Sequence, residues 1–150
     1  MSDRDNLPAL IRLASDAGQL QSAQHIAAKR LLAEDGEIYP CDGCAITLSV
    51  LLQQAGIAID DTYTAITLGE TLQKVRNWTI VPLGQQQAGD IGSTCGSEPR
   101  HGSDHIYLVL RAVNADEMVI ADNQAPQPHF RYTSGQGGKT PTRFFLRAPS

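Results

Sequence analysis

Two residues in this chain are of the right type and in the right setting for nucleophilic chemistry. Cys44 stands where a strongly apolar helical run begins, Cys44-Ala45-Ile46-Thr47-Leu48-Ser49-Val50-Leu51-Leu52. A thiol attacks as the thiolate, and its ordinary pKa of about 8.5 is lowered by a helix N-terminus and by a nearby imidazole. The backbone N–H of Cys44 would also lack an intrahelical acceptor at that position, so it could donate to a developing oxyanion. His105 opens a core-strand candidate, where the backbone fixes the ring while leaving it open to a cleft, as a general base requires. A third group must orient the ring. Asp122 and Asn123 close the next strand candidate and lie on the same edge in a simple hairpin register.

A competing constellation also uses Cys44. Cys41-Asp42-Gly43-Cys44 is a Cys-x-x-Cys pair before a helix, and with Cys95 and either His101 or His105 it offers four zinc ligands. Structural zinc sites usually supply two close ligand pairs, and Cys95 has no such neighbour. A dithiol redox motif needs a hydrophobic strand running into the pair. Glu37-Ile38-Tyr39-Pro40 is too short and too broken for that. In the plainest reading Cys44 is a small core residue, His105 a hydrogen-bonded surface residue, and Asp122 and Asn123 turn formers. The chain would then be a binding or structural module.

The elements that must carry these residues follow from periodicity. Asn6 offers a cap for a helix with Leu7, Leu10, Ile11 and Ala14 at helical spacing, broken at Gly18. A second helix runs from Leu20 to near Gly36. Residues 37–43 are irregular, punctuated by Pro40 and Gly43. The helix from Cys44 is apolar around most of its circumference, which predicts burial, and Gly56 stops it. A shorter helix is predicted over 65–75, with caps among Asp60, Asp61 and Thr62. Strand candidates follow at 79–81, 90–92, 105–111, 118–122 and 143–147. The Asn114-Ala115-Asp116-Glu117 turn pairs the third with the fourth. Residues 84–89 and 93–104 read as loops. Helices first and strands later predict an α+β fold with an antiparallel sheet. Ile106 to Leu110 is apolar at both parities, which predicts cover on both sheet faces.

Composition bounds the function. The chain has 150 residues, enough for one domain that folds without staples. It is 41% hydrophobic and 19% charged, an ordinary soluble globular balance. A formal net charge of -4 argues against a partner held by its phosphates, so nucleic acid is not expected. No apolar run approaches a membrane span, and residues 1–6 lead into no signal-peptide core. The expected localisation is synthesis in the cytoplasm, with release by a non-classical route such as phage lysis or a secretion system. Three cysteines are too few for a disulfide scaffold.

Residues 44–57, ending Gln53-Gln54-Ala55-Gly56-Ile57, resemble the nucleophile helix of the NlpC/P60 and CHAP superfamily. These are papain-like cysteine peptidases and amidases that cut bacterial peptidoglycan. Trp78-Thr79-Ile80-Val81-Pro82-Leu83, then Gln87-Ala88-Gly89-Asp90-Ile91, resembles that superfamily's lead into its first core strand. His105-Ile106-Tyr107-Leu108-Val109-Leu110 is similar to its histidine strand, 118–124 to the strand of its third residue, and 143–147 to its closing strand. The resemblance spans roughly 38–148 in this order. Gly43-Cys44-Ala45-Ile46 is nearer the CHAP style than the Asp-Cys-Ser-Gly usual in NlpC/P60 members. Cys41 is an unexpected neighbour, and the distance to Gly56-Ile57 favours Cys44 as the nucleophile.

The resemblance implies a single papain-like domain over 1–150, with 1–36 a helical N-terminal extension. It implies Cys44 as nucleophile, His105 as general base and then acid, and Asp122 or Asn123 as the orienting residue. Asp122 has the stronger physical case, because a carboxylate stabilises the imidazolium that forms. Tyr39 is implied as a residue bordering the substrate. The implied substrate is a stem-peptide or lactyl-L-alanine amide of peptidoglycan, with no metal or cofactor. A cleft of this kind flanked by residues 37–43 and 93–104 would permit a Cys41–Cys95 disulfide; two unrelated reduced thiols are the alternative.

Overall fold

The computed structural model describes residues 1–96 and 104–150. His101 and most of the loop expected over 93–104 therefore lie outside the described residues. Among the described residues, four α-helices precede a six-stranded antiparallel sheet. Helix α1 spans Leu7–Ser15 and α2 Ala17–Asp35. The break between them falls at Asp16, not Gly18, because the Asp16 carboxylate accepts from the Gln19 N–H at 2.9 Å and caps α2. Gly18 is tolerated inside the first turn of α2. Gly36, with φ 69°, ends α2 in the left-handed region that suits glycine.

Helix α3, Cys44–Gln54, is buried from Cys44 through Leu52, as its all-round apolarity predicts. Gly56, with φ 94°, closes it, and the Ile57 N–H returns to the Leu52 carbonyl. Helix α4 covers only Ala65–Glu70 and continues as a π-helical turn over Thr71–Val75. Its cap is Thr64, whose hydroxyl accepts from the Thr67 N–H, rather than Asp60, Asp61 or Thr62.

The strands are β1 (Thr79–Val81), β2 (Ile91–Ser93), β3 (Ile106–Ala112), β4 (Glu117–Ala121), β5 (His129–Tyr132) and β6 (Phe144–Arg147). They lie in the order β1-β6-β2-β3-β4-β5. The expected β3–β4 hairpin forms, with Leu108 opposite Ala121 and Val109 opposite Ile120. Strand β5 is an addition: read from sequence, it is hidden behind Pro126 and Pro128.

Both faces of β3 are covered. On one, Ile106, Leu108 and Leu110 join Ile91 and Leu146 in a core closed by α1, α2 and α3. On the other, Tyr107 and Val109 pack with Val81, Met118, Ile120 and Phe145. Residues 1–36 belong to the main core rather than extending from it. Leu10, Ala14, Leu20, Ala23, Ala27 and Leu31 are all fully buried there. The N-terminus is also clamped: the Asp3 carboxylate accepts from Arg76 at 2.6 and 2.8 Å and from the Trp78 indole N–H at 2.8 Å. No helix among the described residues is long and apolar enough to cross a membrane.

Gly92 sits beneath the Tyr107 ring, and a Cβ there would overlap the ring and its hydroxyl. Tyr107 cannot move aside, since it is fully buried and its hydroxyl is 2.6 Å from Thr142 Oγ1. Gly92→Ala is therefore expected to cost about 3 kcal/mol by overpacking. Thermal unfolding should record it as a fall in Tm of roughly 10 °C.

Candidate active site

The turn before α3 is shaped to present Cys44. Asp42 adopts a left-handed conformation (φ 54°), and the Gly43 N–H bonds the Pro40 carbonyl at 3.0 Å. A Cβ on Gly43 would come within 2.9 Å of the Tyr39 ring, so glycine is needed there. Thr47 Oγ1 donates to the Gly43 carbonyl at 2.7 Å and accepts from the Tyr39 hydroxyl at 2.8 Å. Burial pushes the Tyr39 hydroxyl up to about 12. Tyr39 therefore stands behind the turn and braces it against α3. The wall of the cleft is made by other residues.

Cys44 is the first residue of α3 and is only 7% exposed. Its Sγ lies 4.0 Å from the Asp104 carbonyl. Burial pushes the thiol up to about 11, although the backbone N–H groups of Ile106 and Ala45 point at the sulfur and favour the thiolate. Cys95 and Asp122 nearby push in the same direction as burial. The depressed pKa expected from the helix start is thus corrected: desolvation outweighs the helix terminus. Alkylation of Cys44 by iodoacetamide, followed by peptide mapping, should climb with pH toward about 11. A plateau of reactivity in the mildly acidic range would contradict this.

Cys44 and His105 line one cleft of about 240 Å³, with Pro40, Asp42, Asp104 and Asn123 around them. His105 lies just before β3 and is 6% exposed. Its backbone N–H bonds Thr94 Oγ1 at 2.9 Å, and its ring stacks on Tyr107 at 5.8 Å. Its Nε2 is 2.8 Å from Asp122 Oδ2. An ionised carboxylate only accepts, so Nε2 carries a proton, which makes Nδ1 the basic nitrogen of the neutral ring.

Asp122 follows β4, its side chain fully buried. Its Oδ1 accepts from His129 Nε2 at 2.8 Å and from the Gln124 N–H at 2.9 Å. Burial alone would raise its pKa, but the bonds from His105 and His129 hold the carboxyl well below the usual range. From α2, Gln24 Nε2 ties down the turn by bonding the carbonyls of Asp122 at 2.8 Å and Ala125 at 2.7 Å. Asn123 takes a different place. Its Nδ2 donates to the Pro40 carbonyl at 2.8 Å, while its buried Oδ1 has no hydrogen-bond partner among the described residues. Asp122, not Asn123, thus bonds the imidazole, and Asn123 ties that turn to the one before α3.

His129 is the residue that sequence reasoning misses. The alternation of His129 and Arg131 with Phe130 and Tyr132 is too short to mark a strand and says nothing of Asp122. Ile120 opposite His129 in the β4–β5 register brings the second imidazole to the carboxylate.

None of the three cysteines is in a disulfide, so the Cys41–Cys95 bridge is not formed. Cys41 is exposed, whereas Cys44 and Cys95 are buried. Among the described residues, Cys41 groups with Glu37 and Asp42 and not with Cys44 and Cys95, so the four-ligand zinc set is not assembled there. No family model matches the chain, and no curated protein or solved structure matches it.

Proposed function

We propose that the chain is a cysteine hydrolase with a papain-like arrangement of Cys44, His105 and Asp122, acting on an amide of bacterial peptidoglycan. One observation carries the reading: a cysteine that begins a buried helix shares a cleft with a histidine whose Nε2 is fixed by a buried carboxylate. The sequence resemblance to NlpC/P60 and CHAP enzymes supplies the substrate class, a stem-peptide or lactyl-L-alanine amide.

Burial keeps the resting Cys44 thiol protonated, so a general base must take its proton during attack, and His105 fills that role. Nδ1 takes the Cys44 proton as Sγ bonds to the amide carbonyl carbon. The carbonyl oxygen gains the negative charge, and the Cys44 backbone N–H, at the first position of α3, donates to it. The imidazolium is stabilised by Asp122 and then protonates the leaving nitrogen as the C–N bond breaks. A thioester remains. Water, deprotonated by His105, attacks it. The C–S bond breaks, the carboxylic acid leaves, and the thiol regains its proton.

The buried, protonated thiol also suits a catalytically silent binding module of the same architecture. Rapid acid quench of the chain with soluble muropeptides separates the two. Intact mass should show an acyl adduct mapped to Cys44 and released by hydroxylamine. Binding without adduct or turnover would favour the module.

A further inference from the structure

A second cavity of about 180 Å³ begins at the same imidazole. Its walls include His105, Asp104 and Gln124, which also line the Cys44 cleft, and beyond them Arg131, Lys139 and Thr140. Arg131 lies on β5 and is only 4% exposed. Its Nη2 donates to the Thr140 carbonyl at 2.9 Å, and its guanidinium carbon sits 5.0 Å over the Tyr107 ring. Its Nε is buried and has no hydrogen-bond partner among the described residues.

Two other partly buried arginines have carboxylate partners. Arg76 carries Asp3 and Arg147 carries Asp90, both at bonding distance and both more exposed than Arg131. Among the described residues no carboxylate lies within ion-pair distance of Arg131. A buried cation without an anion is costly, and the face of Tyr107 offsets only part of that cost. The cavity beside it is polar and carries a second cation, Lys139, which is exposed. Among the described residues, Asp104 is the acidic residue of its wall, at the His105 end.

We infer that this cavity is an anion subsite in which Arg131, aided by Lys139, binds a carboxylate of the substrate. A planar guanidinium matches a carboxylate through paired N–H donors. Because His105 protonates the leaving nitrogen, the cavity that opens from it takes the amine half of the substrate. The preferred amide therefore carries a free carboxylate on its leaving-amine side. This inference rests on the hydrolase reading for the role of His105.

The test is calorimetric titration of the full-length Cys44→Ala chain with the dipeptide alanyl-D-glutamate and with its diamide. The acid should bind at least about tenfold more tightly than the diamide. Arg131→Gln should make the two equal, Lys139→Gln should weaken the acid severalfold, and Arg131→Lys should retain part of the preference. If Arg131→Gln fails to fold, the other two variants and the acid–amide comparison in the Arg131 chain decide the matter. Equal affinities, or no binding of either dipeptide, would overturn the subsite and leave Arg131 as a structural cation over Tyr107. The readout needs no turnover. Acid-selective binding by a chain that never cleaves would refute the hydrolase and keep the subsite, whereas turnover with acid-blind binding would do the reverse.

Discussion

Cys44→Ala is expected to abolish amide hydrolysis, a loss on the order of 10⁴-fold or more in kcat, because the nucleophile has no substitute. His105→Ala should do the same. A second measurement separates chemistry from folding: Cys44→Ala removes one buried sulfur from the first turn of α3, so circular dichroism and cooperative melting should be retained. Cys44 and His105 act as a unit, so the double variant should be no slower than either single one. Activity retained by Cys44→Ala but lost in Cys41→Ala would move the nucleophile to the exposed thiol three residues upstream.

Asp122→Ala is expected to lower kcat on the order of 10³- to 10⁴-fold, as loss of an orienting carboxylate does in hydrolytic triads. Asn123→Ala should cost less than about tenfold, since Asn123 braces Pro40 and does not bond the imidazole. His129→Gln should fall between them, because the second imidazole fixes the other oxygen of the same carboxylate. The pH dependence of stability carries the same signature. The Asp122 carboxyl is held below its ordinary range, so the unfolded chain binds its proton first as pH falls. Its contribution is complete above the ordinary carboxylate value and is lost as pH drops toward the folded value. Denaturant melts should therefore show a shallower acid-side loss in Asp122→Asn than in the unaltered chain. A larger kinetic defect in Asn123→Ala than in Asp122→Ala would transfer the orienting role to Asn123.

The parts legible in the sequence are those with a strong period. The all-round apolarity of 44–52 specified a buried helix, and the doubly apolar 106–110 specified a strand covered on both faces. The turn at 114–117 specified the β3–β4 hairpin, and the hairpin brought Asp122 beside His105. What stayed hidden depends on the environment of a group rather than its type. The helix start at Cys44 argues for a low thiol pKa, but only the packed structure reveals the desolvation that reverses it. Strand β5 has four residues behind two prolines, so its alternation is too short to read, and His129 and Arg131 were lost with it. The choice between Asp122 and Asn123 turned on which faces inward after β4, and Gln24 on α2, about a hundred residues away in sequence, holds that turn.

The most direct measurement is digestion of purified peptidoglycan by the full chain, with mass analysis of the soluble products. Hydrolysis through Cys44 requires fragments that have each gained one water at a single kind of amide, with a new amine and a new carboxyl at the cut. It requires none from Cys44→Ala or His105→Ala. Intact peptidoglycan after prolonged incubation with the unaltered chain, or the same fragments from Cys44→Ala, would contradict it.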